Sequence, residues 1–151
     1  MRRSAPIDWP CRRLAAALLA ALALMPLPRV TSAADAHRFD GQWLTTVSCL
    51  DSRGGLGYSY RFLGVVKDGV YHGLHGTLGQ PGSLQVDGPI AADGTGQLYA
   101  QGLTGSKEFV PGTDTPRGTD YGYHIDAHFG ATAGTGKRVE GRPCTVEFEK
   151  Q

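Results

Sequence analysis

Tyr121-Gly122-Tyr123-His124-Ile125-Asp126-Ala127-His128-Phe129 is the stretch on which the fold turns. Tyr121, Tyr123, Ile125, Ala127 and Phe129 fall on one face, and Asp120, Gly122, His124, Asp126 and His128 on the other. Apolar and polar residues alternating with a period of two make a half-buried strand, because successive side chains of an extended backbone point to opposite faces.

Upstream, residues 104–117 break the alternation. Val110-Pro111-Gly112 and Thr115-Pro116 make this the longest loop, about 14 residues, and loops of that length in compact domains are usually functional or mobile. Farther upstream the period of two returns, punctuated by glycine. Trp43, Thr45, Val47 and Cys49 share one face of a strand, and Tyr58, Tyr60, Phe62, Gly64 and Val66 share one face of the next. Val70 to Leu78, Ser83 to Ile90 (with Leu84, Val86, Gly88 and Ile90 in phase) and Gln97 to Leu103 read as three more. Asp68-Gly69 predicts a tight hairpin, since both central positions of a type I′ turn need positive φ. Asp93-Gly94 marks a second turn of that composition. Downstream, a glycine-rich hairpin over Gly130 to Gly136 leads into a short strand through Arg138 and Val139. The last strand sets Cys144, Val146 and Phe148 against Thr145, Glu147 and Glu149. That makes eight strands with short connections and no run of helical periodicity.

The N-terminal segment has a different character. Arg2, Arg3, Arg12 and Arg13 are followed by an apolar run from Leu14 to Met25, then Pro26 and Pro28, then small residues at Ser32, Ala33, Ala34 and Ala36. This is the layout of a secretory signal peptide over residues 1–34, with cleavage within 33–36, and it leaves a single domain of about 117 residues, 35–151. The apolar run is too short for a membrane span, which needs about 20 residues. The expected location is periplasmic or secreted, with no membrane attachment after cleavage. All 22 glycines fall in the mature part, which disfavours long helices. Removing the signal's arginines turns the formal net charge of +1 into about −3, so nothing in the charge balance calls for a nucleic-acid partner.

Cys11 leaves with the signal. Cys49 and Cys144 remain, and an even pair in an oxidising compartment is expected to form a disulfide, the alternative being two buried thiols. In an eight-strand up-and-down meander the first and last strands run antiparallel. Cys49 ends the first and Cys144 begins the last, so a sheet that closes on itself brings them together. Closure also removes both exposed edges. The fold expected is therefore an all-β, eight-stranded antiparallel up-and-down barrel, with a two-sheet sandwich as the alternative.

Asp40-Gly41-Gln42-Trp43, opening the first strand of such a meander, resembles the Gly-x-Trp opening of lipocalins and avidin-like barrels. The resemblance implies that Trp43 packs at the barrel's base. The chain is also similar to small exported bacterial proteins of unknown function that share a Gly-Arg-Pro-Cys ending, here Gly141 to Cys144, and that likeness implies no activity.

If the apolar faces point inward, Trp43, Tyr58, Tyr60, Tyr121 and Tyr123 line the interior. A barrel of this size either fills its interior with side chains or holds one small ligand. Buried tyrosine hydroxyls need partners, so these rings read as ligand-binding residues or as core with hydroxyls tied to backbone or water. An inward Arg138 beside them would suit an anionic ligand, its alternative being a surface ion pair. His124, Asp126 and His128 project together, and His72 or His75 could complete a metal site, but their face is the solvated one and no metal or other cofactor is expected. There is no Gly-x-Ser-x-Gly, no free thiol once the disulfide forms, and no helix after Gly134-Thr135-Gly136-Lys137 to make a phosphate loop, so an enzyme is not expected. Two functions compete: a binding module for a small aromatic or amphipathic ligand, and a protein-interaction module, such as an inhibitor of an extracellular hydrolase, acting through Phe109, Val110 and Pro111 at the apolar tip of loop 104–117.

Overall fold

Residues 37–112 and 115–151 are described by a computed structural model; the expected signal segment, 1–34, lies outside the described residues. The alternating stretches become eight strands: β1 (Gly41–Cys49), β2 (Tyr58–Lys67), β3 (Val70–His75), β4 (Leu84–Pro89), β5 (Thr95–Leu103), β6 (Asp120–Phe129), β7 (Ala133–Arg138) and β8 (Cys144–Lys150). Each pairs antiparallel with its neighbours in chain order, and β8 returns to β1 to close the barrel. The sandwich is excluded by that closure. Besides the strands, the only helical elements among the described residues are short 3-10 turns at His37–Phe39 and Lys107–Phe109, and no described helix is long and apolar enough to cross a membrane.

The seam between β1 and β8 runs from Trp43 opposite Lys150 to Cys49 opposite Cys144. The two cysteines are bonded, S–S 2.02 Å, across a sequence separation of 95. Cross-linking a loop of that size restricts the unfolded chain by about 4–5 kcal/mol in the chain-entropy picture.

Turn chemistry explains where strands begin and end. Asp68 and Gly69 have φ of 54° and 73°, both positive, so Lys67 and Val70 pair directly across the type I′ turn the sequence predicts. Asp93-Gly94 behaves differently. Only Gly94 is left-handed, at φ 93°, and its N–H donates to the Ala91 carbonyl, so the turn starts earlier and β5 begins at Thr95 rather than Gln97. Gly76, at φ 73°, ends β3 three residues before the expected Leu78.

An up-and-down barrel puts alternate connections at opposite ends. The turns at 68–69, 90–94 and 130–132 lie at one end, together with the chain segment leading into β1. That end is packed solid. Trp43 and Phe39 are fully buried, and the Trp43 ring meets Phe129 edge-on at 5.3 Å while its indole N–H donates to the Phe39 carbonyl at 2.8 Å. Phe129 and Phe148 lie 4.5 Å apart beside them. The Asp40 carboxylate accepts the backbone N–H groups of Asp68 and Gly69, tying the first strand's start to the β2–β3 turn. Tyr71 fills the middle of the barrel, its hydroxyl sharing a 2.5 Å hydrogen bond with buried Thr45. The disulfide and the longer connections, including 104–119, mark the other end.

Candidate functional site

At the disulfide end the side chains leave a cavity of about 280 Å³. That is just below the range of about 300–1,000 Å³ common for small-molecule sites. Period-two alternation on β2 and β6 brings Tyr58, Tyr60 and Tyr121 to its wall, half-buried. The β1–β2 connection adds Ser52 and Arg53, loop 104–117 adds Thr104, Phe109, Val110 and Pro111, and the end of β7 and the turn beyond it add Arg138 and Arg142.

The rings are arranged in layers. Tyr58 and Tyr60 are 4.8 Å apart, Tyr60 stacks on His75 at 4.1 Å, and Phe109 stands edge-on to Tyr58 at 6.3 Å. On the opposite side Tyr121 stacks parallel to Tyr123 at 6.2 Å, and the Arg138 guanidinium covers the Tyr123 ring at 3.9 Å. Burial raises the hydroxyl pKa of Tyr60, Tyr121 and Tyr123, with neighbouring tyrosines adding to the effect, so these groups remain neutral hydrogen-bond donors. Tyr71, deeper down, is pushed up to about 12 by burial against the opposing help of its Thr45 bond. The Tyr121 hydroxyl donates to the Ser83 carbonyl at 3.2 Å. The Tyr123 hydroxyl is buried without a protein partner among the described residues.

Arg142 is the least expected member. It is 4 % exposed, and donates from its two terminal nitrogens to the carbonyls of Phe109 (2.9 Å) and Gly55 (3.0 Å), while its Nε–H is buried and unpaired. One buried guanidinium thus holds both the β1–β2 connection and loop 104–117 over the cavity. Further bonds stitch these connections together: Leu56 N–H to the Glu108 carbonyl, and Gly112 N–H to the Arg53 carbonyl. Thr104, itself buried, donates to the Pro116 carbonyl and accepts from Thr119, which fixes the loop's base.

Of the residues the sequence singles out, Tyr58, Tyr60, Tyr121 and Arg138 line the cavity together, and Phe109, Val110 and Pro111 fold over it. Tyr123 lies just behind the wall, under Arg138. Trp43 is a correction. It faces inward as expected, but at the packed end, fully buried among Phe39 and Phe129, so it does not join the cavity residues. The physical reason is simple: Trp43 sits at the far end of β1 from Cys49, and facing inward says nothing about height along the barrel axis. Cys49 and Cys144 are bonded as expected.

The sequence reading missed Arg142 and Arg53. For Arg142 a signal was present, because it stands two residues before inward-facing Cys144 and alternation extended backwards puts it inside. Arg53, in a turn with φ 47°, had none.

The histidines are dispersed. His124 pairs with Glu140 at 2.6 Å on the outer face, where Asp126 and His128 are also exposed; His72 pairs with Asp87 at 2.8 Å; His75 faces Tyr60. Among the described residues the one cluster with metal-ligand character is His37, Asp40 and Asp68. Its central carboxylate is already engaged by the His37 ring and two backbone N–H groups, which accounts for the cluster as a turn clamp. Compared with protein-family models, curated proteins and solved structures, the chain matches none, so its chemistry rests on these residues alone.

Proposed function

We propose that this protein is an exported binding module that holds a small aromatic or amphipathic molecule in the cavity at the disulfide end of its barrel. The observation that carries the proposal is the division of the interior: one end is packed with aromatic side chains, while the other keeps an aromatic-walled cavity under a stitched loop. A barrel needing its rings only as filler would close both ends alike. Export is supported by the signal-like N-terminal segment and by the disulfide. The lipocalin- and avidin-like resemblance is part of the proposal, supported by the eight-strand meander and by Trp43 at the packed end.

Docking to a protein through loop 104–117 has less support. The Phe109 ring packs on Tyr58 and its carbonyl is held by Arg142, so the loop's apolar tip is spent largely on the cavity.

The test is a thermal-shift screen of the purified protein against ring-bearing and short amphipathic metabolites, with an absorption spectrum taken for co-purified chromophores. Compounds that bind should raise the melting temperature of the wild type and do so less in Tyr60→Ala. A screen in which no compound shifts the transition, and no chromophore co-purifies, would count against a binding module.

A further inference from the structure

The charges around the cavity are unbalanced. Among the described residues, Arg53, Arg138 and Arg142 contribute to its lining against a single carboxylate, Asp120. Among the described residues every ion pair involves a histidine, and none of these three arginines has a carboxylate within pairing distance. Arg53 is exposed and water screens it, but Arg142 is not. A guanidinium cannot shed its proton to escape burial, and a buried charge without a counter-charge is costly. The carbonyls of Phe109 and Gly55 solvate Arg142 without neutralising it.

The unpaired donor of Arg142, its Nε–H, is buried, whereas Arg138 offers unpaired donors at its terminal nitrogens. Its guanidinium carbon lies over the Tyr123 ring, 3.9 Å from the ring centre, anchored through Nε–H to the Glu140 carbonyl at 2.5 Å, and among the described residues its terminal N–H groups have no hydrogen-bond partner. The two arginines are brought together by the turn between β7 and β8: the guanidinium of Arg138 packs beside Gly141, the residue preceding Arg142. The aromatic face and the Nε anchor together restrict this guanidinium, and its free terminal nitrogens form the fork that matches a carboxylate in bidentate fashion. The rings of Tyr58, Tyr60 and Tyr121 make the rest of the wall aromatic.

Resting on the binding-module reading above, we infer that the cavity selects small ring-bearing carboxylic acids, with Arg138 receiving the carboxylate and Arg142 supplying the positive charge behind it. A compact inorganic anion such as phosphate would meet the charge but leave the aromatic wall unused. A neutral ring would use the wall but leave the arginines uncompensated.

The experiment is calorimetric titration of the disulfide-intact protein at neutral pH with benzoate, benzyl alcohol and inorganic phosphate, repeated on Arg138→Gln and Arg142→Lys. Benzoate should bind at least ~10-fold more tightly than benzyl alcohol, and Arg138→Gln should erase that preference while keeping the wild-type melting profile. Arg142→Lys keeps the positive charge, though one ammonium does not reproduce both carbonyl bonds, and should retain most of the preference. Equal affinity for benzoate and benzyl alcohol would overturn the inference while leaving the binding module standing. Phosphate binding as tightly as benzoate would overturn the choice of a ring-bearing acid. If benzoate preference survived in Arg138→Gln, the assignment of Arg138 would fall, and if none of the three probes bound, neither the inference nor the binding module at this cavity would stand.

Discussion

The Tyr71 ring occupies the space in front of Gly64. A β-carbon at Gly64 would overlap the Tyr71 hydroxyl and ring, and Gly73, on the paired position of β3, is blocked by the same ring and by Phe62. Gly64 and Gly73 face inward in strands that otherwise carry large residues there, so their missing side chains are the room Tyr71 needs. Gly64→Ala should therefore destabilise the barrel by about 1–3 kcal/mol, the usual cost of overpacking a dense core. Urea denaturation of the single variant beside Gly64→Ala/Tyr71→Phe checks it. The double variant, set against Tyr71→Phe alone as well, should lose less than the sum of the two single losses, since the clash is chiefly with the hydroxyl end.

Reducing the Cys49–Cys144 bond, or replacing both cysteines by serine, should cost about 4–5 kcal/mol. The bond links positions paired directly across the closing seam, so the native structure is little changed by its loss and the effect comes mainly through the unfolded chain. A shift in denaturation midpoint with the far-ultraviolet spectrum preserved is the expected outcome. A collapse of the spectrum in native buffer would mean that the strands cannot close without it.

Tyr71 and Tyr123 have opposite hydrogen-bonding accounts, and phenylalanine substitution should separate them. The Tyr123 hydroxyl is buried with no protein partner among the described residues, and such a group costs about 1–3 kcal/mol, so Tyr123→Phe should be neutral or stabilising. Tyr71→Phe removes a paired hydroxyl and leaves Thr45 unsatisfied, so it should lose about 1–3 kcal/mol. Thermal melts of the two variants side by side would show the sign directly.

Acid should weaken the fold through His75. Burial against Tyr60 lowers its pKa from the ordinary 6.5, so the folded chain binds the proton less readily than the unfolded one. The sign follows: the contribution is complete above 6.5 and is lost as pH falls through the lowered folded value. His37 acts in the opposite sense, since hydrogen bonding to Asp40 raises its pKa and its contribution is lost as pH rises. Melting temperatures from about pH 8 to about pH 5 should fall more steeply for the wild type than for His75→Gln. Parallel curves would remove His75 as the cause.

The barrel could be read from the sequence because three independent signals agree on it: alternation fixes the strands, Asp68-Gly69 fixes a hairpin, and Cys49 and Cys144 sit where only a closed meander joins them. The site was half readable. Alternation tells inside from outside, and so finds Tyr58, Tyr60 and Tyr121, but it is blind to height along the axis, which is why Trp43 was grouped with them. Height depends on strand stagger, and a single strand's pattern does not carry it. Arg142 was overlooked for a different reason: a charged residue in a turn reads as surface, and its burial is decided by carbonyls of Gly55 and Phe109 that lie 87 and 33 residues away in the chain. The Asp93-Gly94 turn was misplaced because the same dipeptide serves both a type I′ turn and the close of a type I turn.

The stopper of Trp43, Phe39 and Phe129 makes the molecule a flask and not a pipe. Under the binding-module proposal, a guest would leave by the mouth it entered, beside the connections that Arg142 fastens.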